Sequence, residues 1–213
     1  MDPIYFAHFS SLSVLIPLAL GAMYWKCLSK PFIVLFILLI VGGLTDIASF
    51  IFTINGINSW PIVNIYFIVQ FTFLFGFIYL ERKSGNWKFP FVLLLCLSVY
   101  NYFLIQTPFI FNSYTAYGGA LVMIFYSLIY LYDLFRDLPV ERIQDMPMLW
   151  VIFGFLFYYG GTLFLFLANN IVLESNLESH RAIWVLHNIL NVMKNVFLSI
   201  ALWKQYKRTT SHG

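Results

Sequence analysis

The chain has 213 residues, of which 61% are hydrophobic, 21% aromatic and only 10% charged, with a formal net charge of +3. A soluble domain carries about 25% charged residues, so a water-soluble globule is excluded, and no basic run interleaved with aromatics points to nucleic acid. The two cysteines, Cys27 and Cys96, form neither a disulfide framework nor a metal-ligand spacing and are expected to serve in packing.

A helix needs about 20 apolar residues to cross a bilayer core. Seven stretches qualify, at roughly 4–25, 31–54, 61–80, 88–106, 115–135, 148–169 and 183–203, which predicts an all-α membrane protein with one seven-helix transmembrane domain over 1–213. The start, Met1-Asp2-Pro3-Ile4-Tyr5, lacks a positive n-region, so the first span is expected to stay as a helix. A short basic loop from Lys26 to Pro31 leads into the second span, which carries Asp46. The polar turn Asn55-Gly56-Ile57-Asn58-Ser59 comes next, and Pro61 opens the third span, which holds Asn64 and Gln70. Beyond the charged loop from Glu81 to Asn86, the fourth span carries Asn101. The loop from Thr107 to Ser113 leads to span five. The most charged loop, Asp133 to Pro147, leads to span six with Gly160-Gly161-Thr162, a pair expected to allow close helix packing. Glu174 to Arg181 separates it from span seven.

Tryptophan and the basic residues support these boundaries. Trp25, Trp60, Trp87, Trp150, Trp184 and Trp203 all fall at or beside a predicted helix end, where an indole buries its ring and hydrates its N–H. On one side of the predicted membrane lie Lys26, Lys30, Arg82, Lys83, Lys88, Arg136, Arg142, Lys204, Lys207 and Arg208. Arg181 lies alone on the other, and Lys194 within a span. Basic residues accumulate on the cytoplasmic side, so the N-terminus is expected outside and the C-terminus in the cytoplasm.

Ionisable and amide side chains inside a span face protein rather than lipid. Span seven concentrates them. At 100° per residue His187, Asn191 and Lys194 fall within about 60°, and Asn188 and Asn195 widen the arc to about 120°. Lys194 falls close to the midplane and Asp46 about 6 Å outward of it, with Asn191, Asn101, Asn64, His187 and His8 within about 10 Å outward. This outer-half gathering predicts an outward-facing polar pocket. The structural alternative is that Asp46 pairs with Lys194 or His187 only to hold two helices together, and that the amides do likewise at about 0.6 kcal/mol each.

Trp184-Val185-Leu186-His187-Asn188-Ile189-Leu190-Asn191-Val192-Met193-Lys194-Asn195, with Leu44-Thr45-Asp46 and Asn64-Ile65-Tyr66, resembles a family of small, uncharacterised bacterial membrane proteins with seven transmembrane helices. The resemblance spans the whole chain. It implies the topology and a multi-pass location in the bacterial inner membrane, and no chemistry.

The preferred reading is a receptor- or sensor-like bundle that binds a small or lipid-like ligand around Asp46, Lys194 and His187, with Asn191, Asn64, Gln70, Asn101 and His8 contributing. The loop over 133–147 is the expected docking surface for a partner protein. An opsin-like alternative places a retinal cofactor on Lys194, since seven helices and a mid-span lysine on the seventh resemble the rhodopsins. Against it, the third span has no acidic counterion and the sixth no mid-span tryptophan. An ion- or proton-coupled transporter would use Asp46, Lys194 and His187 as relay groups, although no internal repeat is visible. An intramembrane metal-dependent hydrolase would need His8, Asp46 and His187 to bind zinc. Ceramidase-like seven-helix hydrolases are similar in this, but their closely spaced histidines on the last helix are missing. No serine adjoins a histidine as a nucleophile would, so no catalytic residue and no metal ligand is assigned.

Overall fold

The computed structural model describes residues 9–81, 88–137, 142–172 and 177–211, with 88, 166–172, 177–181 and 211 described by their backbone alone. Every regular element among them is helical. These are α1 (Phe9–Met23), α2 (Lys30–Ile54), α3 (Trp60–Glu81), α4 (Lys88–Tyr100), α5 (Ser113–Asp137), α6 (Pro147–Val172) and α7 (Leu177–Ser211). Single 3₁₀ turns occur at Trp25–Cys27 and Ile143–Asp145, and a π turn over Asn101–Ile105 extends α4. All of α2, α3 and α5, with Pro147–Leu165 of α6 and Ala182–Thr210 of α7, are long and apolar enough to cross a membrane. The first and fourth expected spans form shorter apolar helices, Phe9–Met23 and Phe89–Ile105. Both abut residues outside the described set, 1–8 and 82–87. The protein is thus an all-helical, multi-pass membrane-embedded chain.

Exposure supports that conclusion. Leu44, Ile47, Ile51 and Ile54 recur along α2 on one exposed stripe, a surface that would be a liability in water and suits acyl chains. Cys96 is exposed on α4 rather than packed, and Cys27 is half-buried; both are free thiols.

The chain divides into two units, one of residues 29–119 and a split one of 1–28 with 120–213. In the 29–119 unit α2 begins after extended Ser29, with Pro31 in the first turn where no amide partner is lost. It ends where Gly56 adopts a left-handed φ of 69°. The Gly56 N–H then donates to Thr53 O (3.1 Å) and the Ile57 N–H to Phe52 O (2.9 Å), satisfying carbonyls the helix leaves open. Asn58 Oδ1 accepts the Trp60 N–H at 2.9 Å and starts α3. Phe32, Leu35, Phe71, Leu74, Phe77 and Phe91 are buried here. A Cβ at Gly119 would overlap the Phe71 ring, so only glycine lets α5 and α3 meet at this point.

In the split unit α6 and α7 form the most extensive helix pair, and α1 packs on α7. Phe197 stacks on Phe157, centroids 5.6 Å apart and planes 6° apart, while Val151, Ile152, Phe155, Leu198 and Leu202 are buried. Gly161 lies against Leu190, as close packing requires; Gly160 has nothing within 4 Å, so the expected role falls to one member of the pair. The Trp150 indole N–H donates to Gln144 O at 2.9 Å and ties the 3₁₀ turn at Ile143–Asp145 to α6.

Candidate functional site

The polar residues of α7 divide into a seam and a cation site. In the seam, Asn191 Nδ2 donates to Ser10 Oγ at 2.9 Å and Asn195 Nδ2 to Ser13 Oγ at 2.7 Å, while Ser13 Oγ donates to Ser10 O at 2.6 Å. Four residues on α7 match three on α1, each about one turn, so the two amides meet successive hydroxyls. Further along, Tyr24 stacks on Tyr206 with centroids 4.0 Å apart, and Thr209 Oγ1 donates to Cys27 O at 3.0 Å. The sequence offset is 181 or 182 at each hydrogen bond between the two segments. Both numbers rise together, so α1 and α7 run side by side in the same direction.

Lys194 faces α6. Its Nζ lies 4.3 Å from the centroid of the Tyr158 ring, within cation–π range. The same ring meets His187 edge to face at 5.8 Å, and Trp184 meets His187 from its own helix at 5.5 Å. Tyr158 thus joins Lys194 and His187, which stand about two turns apart. Glycine permits the approach: a Cβ at Gly154 would lie 3.1 Å from Phe197 Cβ and 3.9 Å from Lys194 Cα. A half-buried ammonium against a phenol ring that also meets an imidazole can hold a carboxylate, phosphate or polarised carbonyl, and the aromatic rings can cover an apolar body.

Asn64 and Asn101 are occupied otherwise, in the 29–119 unit. Asn64 Nδ2 donates to Pro108 O (2.9 Å) and Ile110 O (2.7 Å), and its Oδ1 accepts the Asn112 N–H at 3.2 Å. Asn101 Nδ2 donates to Gln106 Oε1 (3.0 Å) and Thr115 Oγ1 (3.1 Å). Gln106 Nε2 donates in turn to Ser113 Oγ at 3.0 Å, and its Oε1 accepts the Tyr114 N–H at 3.3 Å. These side chains fasten the connection between the π turn and α5. Gln70 is buried on α3, and Asp46 lies on α2 with its side chain exposed. His8 lies outside the described residues, and among those described no three His, Cys, Asp or Glu side chains gather as metal ligands.

The structure therefore brings together Lys194 and His187 through Tyr158, places Asn191 in a seam beside them, and uses Asn64 and Asn101 in loop closure. Sequence reasoning missed Ser10, Ser13 and the role of Tyr158, and with them Gln106, Asn112, Ser113 and Thr115. The matched spacings Ser10-x-x-Ser13 and Asn191-x-x-x-Asn195 were the available signal for the seam. In comparisons with family models, curated proteins and solved structures, nothing matches this chain, so the resemblance carried by its short motifs gains no family support.

Proposed function

We propose that the protein is a receptor- or sensor-like membrane protein that binds a small or lipid-like molecule bearing an anionic or carbonyl head at Lys194, Tyr158 and His187. The observation that carries the reading is the Lys194 ammonium held within a span against an aromatic face, 4.3 Å from the Tyr158 ring. A lysine at that depth is costly to keep, and function is the default reason for keeping one. Seven crossings, with the N-terminus outside and the C-terminus in the cytoplasm, complete the proposal. The parallel course of α1 and α7 supports that count, because first and last spans run the same way only when the total number of crossings is odd. The basic residues support the orientation, and the resemblance carried by the sequence motifs supports a bacterial inner membrane. The loop over 133–147 is the proposed docking surface for a protein partner; its residues 138–141 lie outside those described.

Mass spectrometry of the gently purified chain, native and then denatured, tests this, with Lys194→Met beside it and absorption spectra of both. A molecule retained natively, lost on denaturation and absent from Lys194→Met is the expected result. An adduct that survives denaturation on Lys194 and absorbs visible light would replace the reading by the retinal-binding one. A ligand-free native mass, or a ligand held equally by Lys194→Met, overturns the site.

A further inference from the structure

α7 is longer than a membrane crossing needs. Its 35 residues extend for about 52 Å, against a hydrocarbon core of about 30 Å. Even a tilt of about 40°, the upper end of the observed range, leaves about 10 Å beyond the core. The residues of its C-terminal end have the chemistry of a headgroup layer. Lys207 and Trp203 are exposed, and the Lys207 Nζ lies 4.0 Å from the Trp203 ring centroid. The Trp25–Cys27 turn lies alongside, fixed by the Tyr24–Tyr206 stack and by the Thr209–Cys27 hydrogen bond, so exposed Lys26 and Trp25 join the same end. Lys204 is already committed to Asp145 through a 2.6 Å ion pair. Below this end Met23 is 71% exposed, an apolar surface on which an acyl chain can lie.

We propose that Lys26 and Lys207, with the indoles of Trp25 and Trp203, form a binding site for an anionic glycerophospholipid of the adjacent leaflet. The two ammonium groups hold the phosphate. The indoles sit at headgroup level, where one edge is apolar and the other wet, and the acyl chains run past Met23. Juxtamembrane lysines attract acidic lipid additively, and that attraction falls with salt. Neither lysine takes part in the Lys194 site, so this inference stands apart from the proposed function.

The full chain in mild detergent is mixed with phosphatidylglycerol or phosphatidylcholine and examined by native mass spectrometry. Phosphatidylglycerol should be retained in preference. Lys26→Gln/Lys207→Gln should weaken that retention roughly 30-fold while keeping the wild-type melting midpoint, and Lys194→Met should leave it unchanged. Equal retention of the two lipids, or a double variant that binds as wild type does, overturns the proposal. Displacement of the lipid by millimolar inorganic phosphate also overturns it, since that would mark a site for a soluble anion.

Discussion

Asn64→Leu removes one fully buried amide and nothing else of comparable size. In the wild type that amide serves Pro108 O, Ile110 O and the Asn112 N–H, at 2.9, 2.7 and 3.2 Å. A buried backbone group left without its partner costs about 1–3 kcal/mol, while a group that regains water costs far less. With the two carbonyls only part-buried and the Asn112 contact buried, the sum comes to about 3 kcal/mol. For a chain of this length that corresponds to a melting midpoint lowered by roughly 6–12 °C, measured in one mild detergent. Asn58→Ala is the matched control. Asn58 also makes two such contacts, to Phe109 O at 2.7 Å and from the Trp60 N–H at 2.9 Å, but both are exposed. It should cost under about 1 kcal/mol. If the two variants melt together, burial does not set the worth of the Asn64 contacts and the reasoning fails.

Two glycines separate crowding from helix propensity. Gly119→Ala drives a methyl into the buried Phe71 ring and should destabilise by about 1–3 kcal/mol, whereas Gly160→Ala, with nothing within 4 Å, should be neutral or stabilise by up to about 1 kcal/mol. Melting midpoints in one detergent decide this, and equal shifts would refute the packing at Gly119. The Asp145 carboxyl is held below its ordinary range by the hydrogen bond and charge of Lys204. A depressed folded value means the contact contributes fully above the unfolded pKa of about 3.9 and is lost as pH falls through the folded one. Deuterium uptake by 142–150, corrected for intrinsic exchange, should stay flat from about pH 8 to about 5 and rise only below about 4. Asp145→Asn should show the raised uptake throughout; an equal pH response in both proteins would show that the pair is not its source.

Hydropathy was enough to locate the helices, since in lipid the backbone must satisfy itself and an apolar run of the right length has little alternative. It was less able to end them. Apolar patterning stops at Lys204, but Lys, Gln and Arg are good helix formers, so α7 continues to Ser211. It also cannot distinguish an i→i−4 from an i→i−5 hydrogen bond, which is why the π turn after Tyr100 was invisible. Hydropathy does not separate pocket from loop closure, for a related reason. Asn64 and Asn101 are polar residues in apolar helices whether their partners are ligands or the returning carbonyls at Pro108 and Ile110. Depth along the helix carries no information about a connection that folds back over its own end. Lys194 stands out in the sequence because no backbone group in its span needs an ammonium.

The π turn has one more consequence, which concerns counting rather than chemistry. The Gln106 N–H reaches Asn101 O at 3.0 Å across five residues, so this turn holds one residue more than an α-helix would. Loss of any one of residues 102–105 would leave the Asn101 carbonyl and the Gln106 N–H four residues apart, so the turn would close as an α-helical one and alter the path of the chain that brings Gln106 to Ser113. Phe103, Leu104 and Ile105 are all exposed, so their identities can vary among apolar types without touching that register. This stretch is therefore constrained in its length and permissive in its letters, the reverse of the α7 face, where the proposed site rests on the identity of Lys194.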